Sequence, residues 1–397
     1  MARQESLEGE PWLIVEPDPG SLSQLCSNMG VQGVQVEQIC SLNRGMLHDL
    51  RPIHGITLLL HHKPERSHRD DGSTTTTHAN NVYFANQVVH EAYAIYALLS
   101  VLMNCNDDTV DLGSELINLK EFTDDFPPML KGLSVTNSKI LKDAHNSVAR
   151  RQQRRLMRGD DIYHYITYIP IDGYLWELDG FKRGPLRLAS CTETGWIDTA
   201  RTELQRKIEL YQRQQIPFTI WSVVEDRRRV YQRQLAAKAY MKRAIEQHLE
   251  AHDPSWRVPL RAQQWEEEYK HALEAERCKR GTDIYSTLDT WMFEASAATP
   301  AMTTESHLLT SSDLVDLQAQ IGFNTQGRSL EEIMDFWLQV QDDSLRIYKQ
   351  LGEECEKQQK YQDDVIRRQH DYTPFIKAYL QRLLVHGHLE RMIADLS

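Results

Sequence analysis

The chain has 397 residues, 41% of them hydrophobic, which is enough apolar material for two or three domains with real cores and excludes wholesale disorder. Its 45 basic and 57 acidic residues leave a formal net charge of -12, which argues against a nucleic-acid binder held by phosphate contacts. No apolar run approaches the roughly 20 residues that span a bilayer, and the opening Met1–Glu10 lacks the apolar core of a signal peptide, so an intracellular protein with neither membrane nor nucleic-acid partners is expected.

From Pro11 to about Arg229, short β-like runs alternate with helical ones. Gly55–Leu60, Tyr165–Ile169, Leu175–Leu178 and Phe218–Val224 are rich in β-branched and aromatic residues, which suit a buried sheet. Between the first two, Val88–Met103 is almost wholly apolar after His90 and Glu91 and predicts a helix buried on most sides. Asp172-Gly173 separates two strand-like runs and predicts a tight hairpin, because both residue types tolerate positive φ. Two segments read as loops: the Ser/Thr-rich stretch Pro64–Asn81, and Arg150–Asp161, whose arginines make it either a lid or a plain charged surface loop.

Beyond Arg229 the composition turns helical and charged, with helices expected over Asp226–Glu250 and Gln263–Lys279 and a linker over Ser296–Asp313. From Glu331, the 3-4 spacing of Ile333, Trp337, Val340, Ile347 and Leu351, with Ser344 filling one step, predicts a long helix to about Gln369. Pro374 forces the chain to restart there. The last segment places Ile376, Leu380 and Leu383-Leu384 on one face, which either docks a partner or packs on the chain's own long helix. Six cysteines (Cys26, Cys40, Cys105, Cys191, Cys278 and Cys355) show no CxxC pairing, so no disulfide framework, zinc site or other cofactor is expected.

The chemistry concentrates in two places. His164, in the run ending Leu178-Asp179-Gly180, has the pattern of a general base with Asp179 as the carboxylate that orients it, and Gln87 can offer an amide to an oxyanion. A cysteine at the start of the following buried helix would become a thiolate there, because the helix dipole and an imidazolium both favour negative charge. Tyr93 stands where that cysteine is expected.

Gln87–Asn104 together with His164–Gly180 resembles the ubiquitin carboxyl-terminal hydrolase family of cysteine peptidases. The likeness extends to Trp12–Gly20, similar to the family's opening strand and turn, and to Gly33–Ile39. It also takes in the helical Met129–Leu133 and His145–Arg150, and the last strand within Pro217–Arg229. Ile366–Ile376 resembles the tail of the long, proteasome-associated member. The resemblance implies an α/β (α+β) papain-like fold, a central antiparallel-rich sheet flanked by helices, followed by a helical C-terminal extension. The expected domains are 10–230 for the hydrolase fold, 231–330 for a helical insert and linker, and 331–397 for a partner-binding tail.

Carried over by position, Tyr93 falls on the nucleophile, His164 on the general base, Asp179 on the orienting carboxylate and Gln87 on the oxyanion donor. The departures cluster at the nucleophile: Glu91, Ile95 and Tyr96 also differ from the family's pattern, as in a motif that has drifted. A phenol is a poor replacement for a thiol, with a reference pKa of about 10 against about 8.5. Cys105 lies roughly 18 Å further along a helix of 1.5 Å rise per residue. The expected protein is therefore a catalytically inactive ubiquitin-binding or scaffold member, with Tyr93 hydrogen-bonded to His164 in a filled cleft. The alternatives are an active deubiquitinase cleaving after the ubiquitin C-terminal glycine, and a purely helical interaction protein. Expected partners are ubiquitin, if the cleft is open, and a proteasomal ubiquitin receptor or similar adaptor through 331–397, in the cytoplasm and nucleus.

Overall fold

The computed structural model describes residues 11–61, 81–149, 163–256, 271, 274–275 and 308–388. The basic loop Arg150–Asp161, nearly all of Pro64–Asn81 and of Gln263–Lys279, and the linker up to residue 307 lie outside the described residues. The chain divides into two compact units, Met1–Val224 with Tyr361–Ser397, and Glu225–Lys360.

The first unit is built on a six-stranded sheet: β1 (Val34–Gln38), β2 (Ile53–His61), β3 (Tyr163–Ile171), β4 (Tyr174–Asp179), β5 (Leu186–Ser190) and β6 (Phe218–Glu225), in the order β1-β6-β2-β3-β4-β5. β2 runs antiparallel to both β6 and β3, and β3, β4 and β5 continue antiparallel. The β3–β4 hairpin turns on Asp172 (φ 51°) and Gly173 (φ 76°), as their tolerance of positive φ predicts. This register sets Asp179 beside Ile166 on the neighbouring strand, two residues along from His164.

Helices cover both faces. On one, α3 (Tyr93–Leu102), α1 (Pro19–Asn28) and α6 (Lys139–Val148) bury Leu22, Leu25, Leu98, Leu141 and Val148 in a core that includes Leu59, Tyr165 and Ile169. On the other, Leu47 of α2 (Arg44–Asp49) and Trp196, Ile197, Ala200 and Leu204 of α7 (Trp196–Arg213) cover Ile56, Leu58, Ile166 and Tyr168. The alternation of these residues along β2 and β3 is the period-2 pattern of a sheet covered on both sides. α4 (Gly113–Phe122) and α5 (Pro128–Asn137) complete the helices of this region.

Two expectations are corrected. The buried helix begins at Tyr93 rather than Val88, because Gln87 bonds the carbonyl of His90 and holds the intervening chain in a turn. Trp12–Gly20 is not a strand. Pro17 and Pro19 remove ladder donors there, and residues 11–13 are instead gripped by one side chain: Asn146 accepts from Leu13 N and donates to Pro11 O, both at 2.9 Å.

In the second unit α8 (Arg227–His252) and α9 (Ser311–Thr325) accompany the long helix α10 (Leu330–Gln369). The seam read from spacing is the buried one: Ile333, Trp337, Val340, Ser344, Ile347 and Leu351 are all buried, packing with Leu235, Met241, Ile245 and Leu249 of α8. Ser344 is tolerated in that apolar seam because its hydroxyl donates to Val340 O at 2.7 Å. After α10 the chain restarts with Pro374 in the first turn of α11 (Thr373–Val385), none of whose residues is buried.

His145 of α6 is fully buried, edge-on to Trp12 with ring centroids 5.0 Å apart, and neither ring nitrogen has a hydrogen-bond partner among the described residues. Burial pushes its pKa down from 6.5 to about 4, only partly offset by the adjacent Asn146. Between those two values the unfolded chain binds a proton that the folded one refuses, so stability rises with pH through this window and is flat above it. We expect about 3 kcal/mol of stability to be lost on acidification from pH 6.5 to 4. Chemical denaturation of His145→Leu at matched pH values should lack that slope.

Candidate functional site

α3 starts without a side-chain cap, and its first turn closes on the preceding turn, with Tyr93 N donating to His90 O and Tyr96 N to Ala92 O. All ten α3 residues are buried, so the polar atoms of Tyr93, Tyr96 and Ser100 must find partners inside the protein. The Tyr93 hydroxyl donates to the carbonyl of Val15 at 2.5 Å, and its ring lies against Tyr163, centroids 4.5 Å apart. Tyr96 donates to Gly132 O at 2.8 Å and Ser100 to Tyr96 O at 2.8 Å. Burial holds the Tyr93 phenol well above its ordinary pKa, reinforced by the nearby Tyr163, Asp18 and Glu16.

His164 and Asp179 are brought together as their spacing suggested. Nε2 of His164 lies 2.7 Å from Oδ1 of Asp179, with both side chains buried. The same carboxylate oxygen accepts from Phe181 N at 3.0 Å. Burial raises the Asp179 pKa, but His164, the Phe181 amide and Lys207 outweigh it, and the net shift is downward. Further along β4, Glu177 is buried with Lys207 Nζ at 3.0 Å and Lys182 Nζ at 3.4 Å, and it accepts from Tyr168 at 3.3 Å. Both carboxylates of this strand are thus buried against cationic or hydrogen-bonding partners.

Tyr93 does not turn to His164. A hydrogen bond between them was expected, but the phenol reaches Val15 instead, and Asp179 is the only hydrogen-bond partner of the His164 ring among the described residues. The rigid ring carries its oxygen away from the helix start into the apolar layer against residues 11–18.

Gln87 is buried with its amide already engaged: Nε2 donates to His90 O and to Tyr163 O, each at 3.2 Å, while Oε1 has no partner among the described residues. Its backbone N–H donates to Gly180 O at 2.9 Å, and Asn86 Nδ2 holds Gly180 O at 3.2 Å and Lys182 O at 2.7 Å. These bonds tie the turn before α3 to the loop after β4. Phe181, two residues past Asp179, contacts both His164 (centroids 5.0 Å) and His90 (5.4 Å); Nδ1 of His90 is buried without a partner among the described residues. Phe181 and His90 were not singled out from the sequence; the position of Phe181 just after Asp179-Gly180 was the available signal.

Cys105 is beyond the far end of α3, its Sγ 3.5 Å from His54 Nδ1, and Asp107 approaches the same nitrogen at 3.8 Å. Both on one nitrogen is not the relay geometry, in which the carboxylate grips the opposite side of the ring. Burial raises the pKa of Cys105 and also of Cys191. Among the described residues no group of three metal-ligating side chains is present, and no helix is long and apolar enough to cross a membrane.

Residues 12–209 match the profile of the family described as ubiquitin carboxyl-terminal hydrolase, family 1, and residues 346–389 a second profile described as ubiquitin carboxyl-terminal hydrolases. The chain is 34% identical over 244 residues to ubiquitin carboxyl-terminal hydrolase isozyme L5 of Dictyostelium discoideum, covering 60% of this chain and 69% of that protein. It is 33% identical over 223 residues to ubiquitin carboxyl-terminal hydrolase 2 of Schizosaccharomyces pombe, covering 55% and 74%. To ubiquitin carboxyl-terminal hydrolase BAP1 of Xenopus tropicalis it is 37% identical over 246 residues, 56% of this chain but only 35% of that protein. Among solved structures, Trichinella spiralis UCH37 bound to ubiquitin vinyl methyl ester superposes with a TM-score of 0.46 at 32% identity, covering 56% of this chain and 86% of that one.

Replacing Tyr93 by Phe removes the donor to Val15 O and leaves a buried carbonyl unpaired, which costs about 1–3 kcal/mol. Urea denaturation should register that loss in Tyr93→Phe; a change within error would mean that the bond carries no net stability.

Proposed function

Because the chain belongs to family 1 of the ubiquitin carboxyl-terminal hydrolases, we propose that it is a ubiquitin-binding or scaffold member of that family whose hydrolytic chemistry has been lost. Its fold is the family's papain-like one, an antiparallel sheet flanked by helices with a helical C-terminal region. In this reading Tyr93 occupies the nucleophile position, His164 that of the general base, Asp179 that of the orienting carboxylate and Gln87 that of the oxyanion donor. The observation that carries it is the state of the Tyr93 hydroxyl: fully buried, donated to Val15 O at 2.5 Å, and held protonated by its surroundings. A nucleophile needs a lone pair aimed at the substrate and a base to take its proton, and this oxygen has neither.

The engaged amide of Gln87 supports the same conclusion. Both of its protons go to backbone carbonyls, so an oxyanion would have to compete with His90 O and Tyr163 O for them. The His164–Asp179 pair persists on this reading because removing either member would strand the other in a buried place. The pair is also what favours the second reading, a working deubiquitinase, since Nδ1 of His164 makes no hydrogen bond among the described residues. Ubiquitin is the proposed partner of the 10–230 domain, by extension from a relative solved with a ubiquitin ester. A proteasomal ubiquitin receptor or similar adaptor is proposed for 331–397, beyond the 231–330 insert, in the cytoplasm and nucleus; the exposed Phe375, Ile376, Tyr379, Leu380 and Leu384 supply an apolar face for it.

Incubation of the full chain with ubiquitin vinyl methyl ester should give no covalent adduct, and a fluorogenic ubiquitin substrate no turnover. An adduct at any cysteine, or turnover lost on His164→Ala, establishes the second reading instead. Tyr93→Cys should restore little activity, because Tyr96, Ile95 and the engaged Gln87 amide remain; robust turnover by that variant would show that the loss rests on one residue. Calorimetric titration with free ubiquitin should detect binding, and its absence would remove the ubiquitin-binding part of the proposal. For the tail, Leu380→Asp with Leu384→Asp should abolish capture of the receptor's adaptor domain while leaving ubiquitin binding unchanged. Capture that survives both changes would place the adaptor site elsewhere.

A further inference from the structure

The last turn of α8 carries two histidines one helical turn apart, His248 and His252, in a part of the chain that the hydrolase reading does not use. Residues at i and i+4 share a helix face, and here the two imidazoles lie side by side, centroids 4.3 Å apart with an interplanar angle of 35°. His252 is exposed and His248 half-buried. Neither belongs to an ion pair with a carboxylate among the described residues.

One hydrogen bond fixes the chemistry of the pair. Nδ1 of His252 lies 2.9 Å from the carbonyl of His248. A carbonyl oxygen only accepts, so Nδ1 carries the proton, and in the neutral ring the lone pair then resides on Nε2. A backbone carbonyl on one ring nitrogen is the arrangement that orients ligating histidines and defines which nitrogen binds.

We propose that His248 and His252 form a two-imidazole site for a borderline divalent transition-metal ion, of the zinc, nickel or copper class, with solvent completing the coordination. Paired histidines at this helical spacing present two nitrogen donors on one face, as in helical zinc motifs. Imidazole donors select these ions over magnesium or calcium, which require oxygen ligands. Bound metal bridges the final turn and stabilises the end of α8 against fraying. The His252 hydrogen bond also caps the helix, and capping alone would make the same histidine useful without any metal. The two roles separate on metal dependence.

The test is calorimetric titration of the full chain with zinc chloride and nickel chloride, beside His248→Ala, His252→Ala and the double substitution. The wild-type chain should bind one equivalent more than the double variant, each single variant should lose that equivalent, and magnesium chloride should not compete for it. Circular dichroism of the variants checks that the fold is retained. Equal binding by wild type and the double variant, or an equivalent that magnesium displaces, overturns the site. So does loss of binding in His252→Ala but not in His248→Ala, because a bridging ion needs both rings.

Discussion

The burial of the start of α3 constrains everything around it. A helix whose every residue is buried must satisfy each of its polar groups internally, and the Tyr93 hydroxyl does so through Val15. That single bond pins residues 11–18, which make no strand of their own, to the side of the sheet that α1, α3 and α6 cover. Asn146 holds the same segment from α6. The N-terminal segment is thus shaped by side chains from two helices rather than by sheet pairing, and the tyrosine that is a poor nucleophile is a sound structural donor. The same burial that suppresses its ionisation strengthens its hydrogen bond.

Much of this was legible in the sequence because it rests on local pattern. The strands around Leu58, Ile166, Trp176 and Trp221 follow from runs of β-branched and aromatic residues. The hairpin follows from Asp172-Gly173, and the long helix seam from the spacing of Ile333 to Leu351. The pairing of His164 with Asp179 was legible too, since two adjacent antiparallel strands joined by a tight turn set their register. What was not legible depends on long-range bonds. Val15 lies 78 positions from Tyr93, and nothing in either local stretch says that the phenol points there rather than at His164. The start of α3 was misjudged for a related reason. Val88 and Val89 suit a helix, but Gln87 bonding His90 O and Tyr163 O favours a turn, and a side chain reaching the backbone of a distant strand overrides local preference.

The polar interior of the first unit is arranged in two kinds of contact. His164–Asp179 and Glu177 with its two lysines are charge-assisted and lie along β4, where alternate positions face α7. Gln87, Asn86 and the Tyr93 hydroxyl instead donate to backbone carbonyls, and they join the turn before α3 to the loop after β4 and to the N-terminal segment. The first kind pairs buried charges, and the second preserves shape. The proposed loss of chemistry at the start of α3 is compatible with keeping both, because neither requires a reactive atom at position 93.

Arg368, near the end of α10, donates to the Asp18 carboxylate and to Ser21 Oγ (3.0 Å), with Glu16 at 3.7 Å, while the ring of Tyr361 packs on Gly20. Asp18 is also the cap of α1, and Glu16 and Asp18 both act electrostatically on the buried Tyr93 hydroxyl. A fragment ending near residue 230 would leave two carboxylates without their guanidinium, next to the segment that closes over α3. Its stability and its affinity for a ligand would then report on a different electrostatic object from the full chain. The last turns of α10 are, in that sense, a piece of the first unit supplied from more than three hundred residues away.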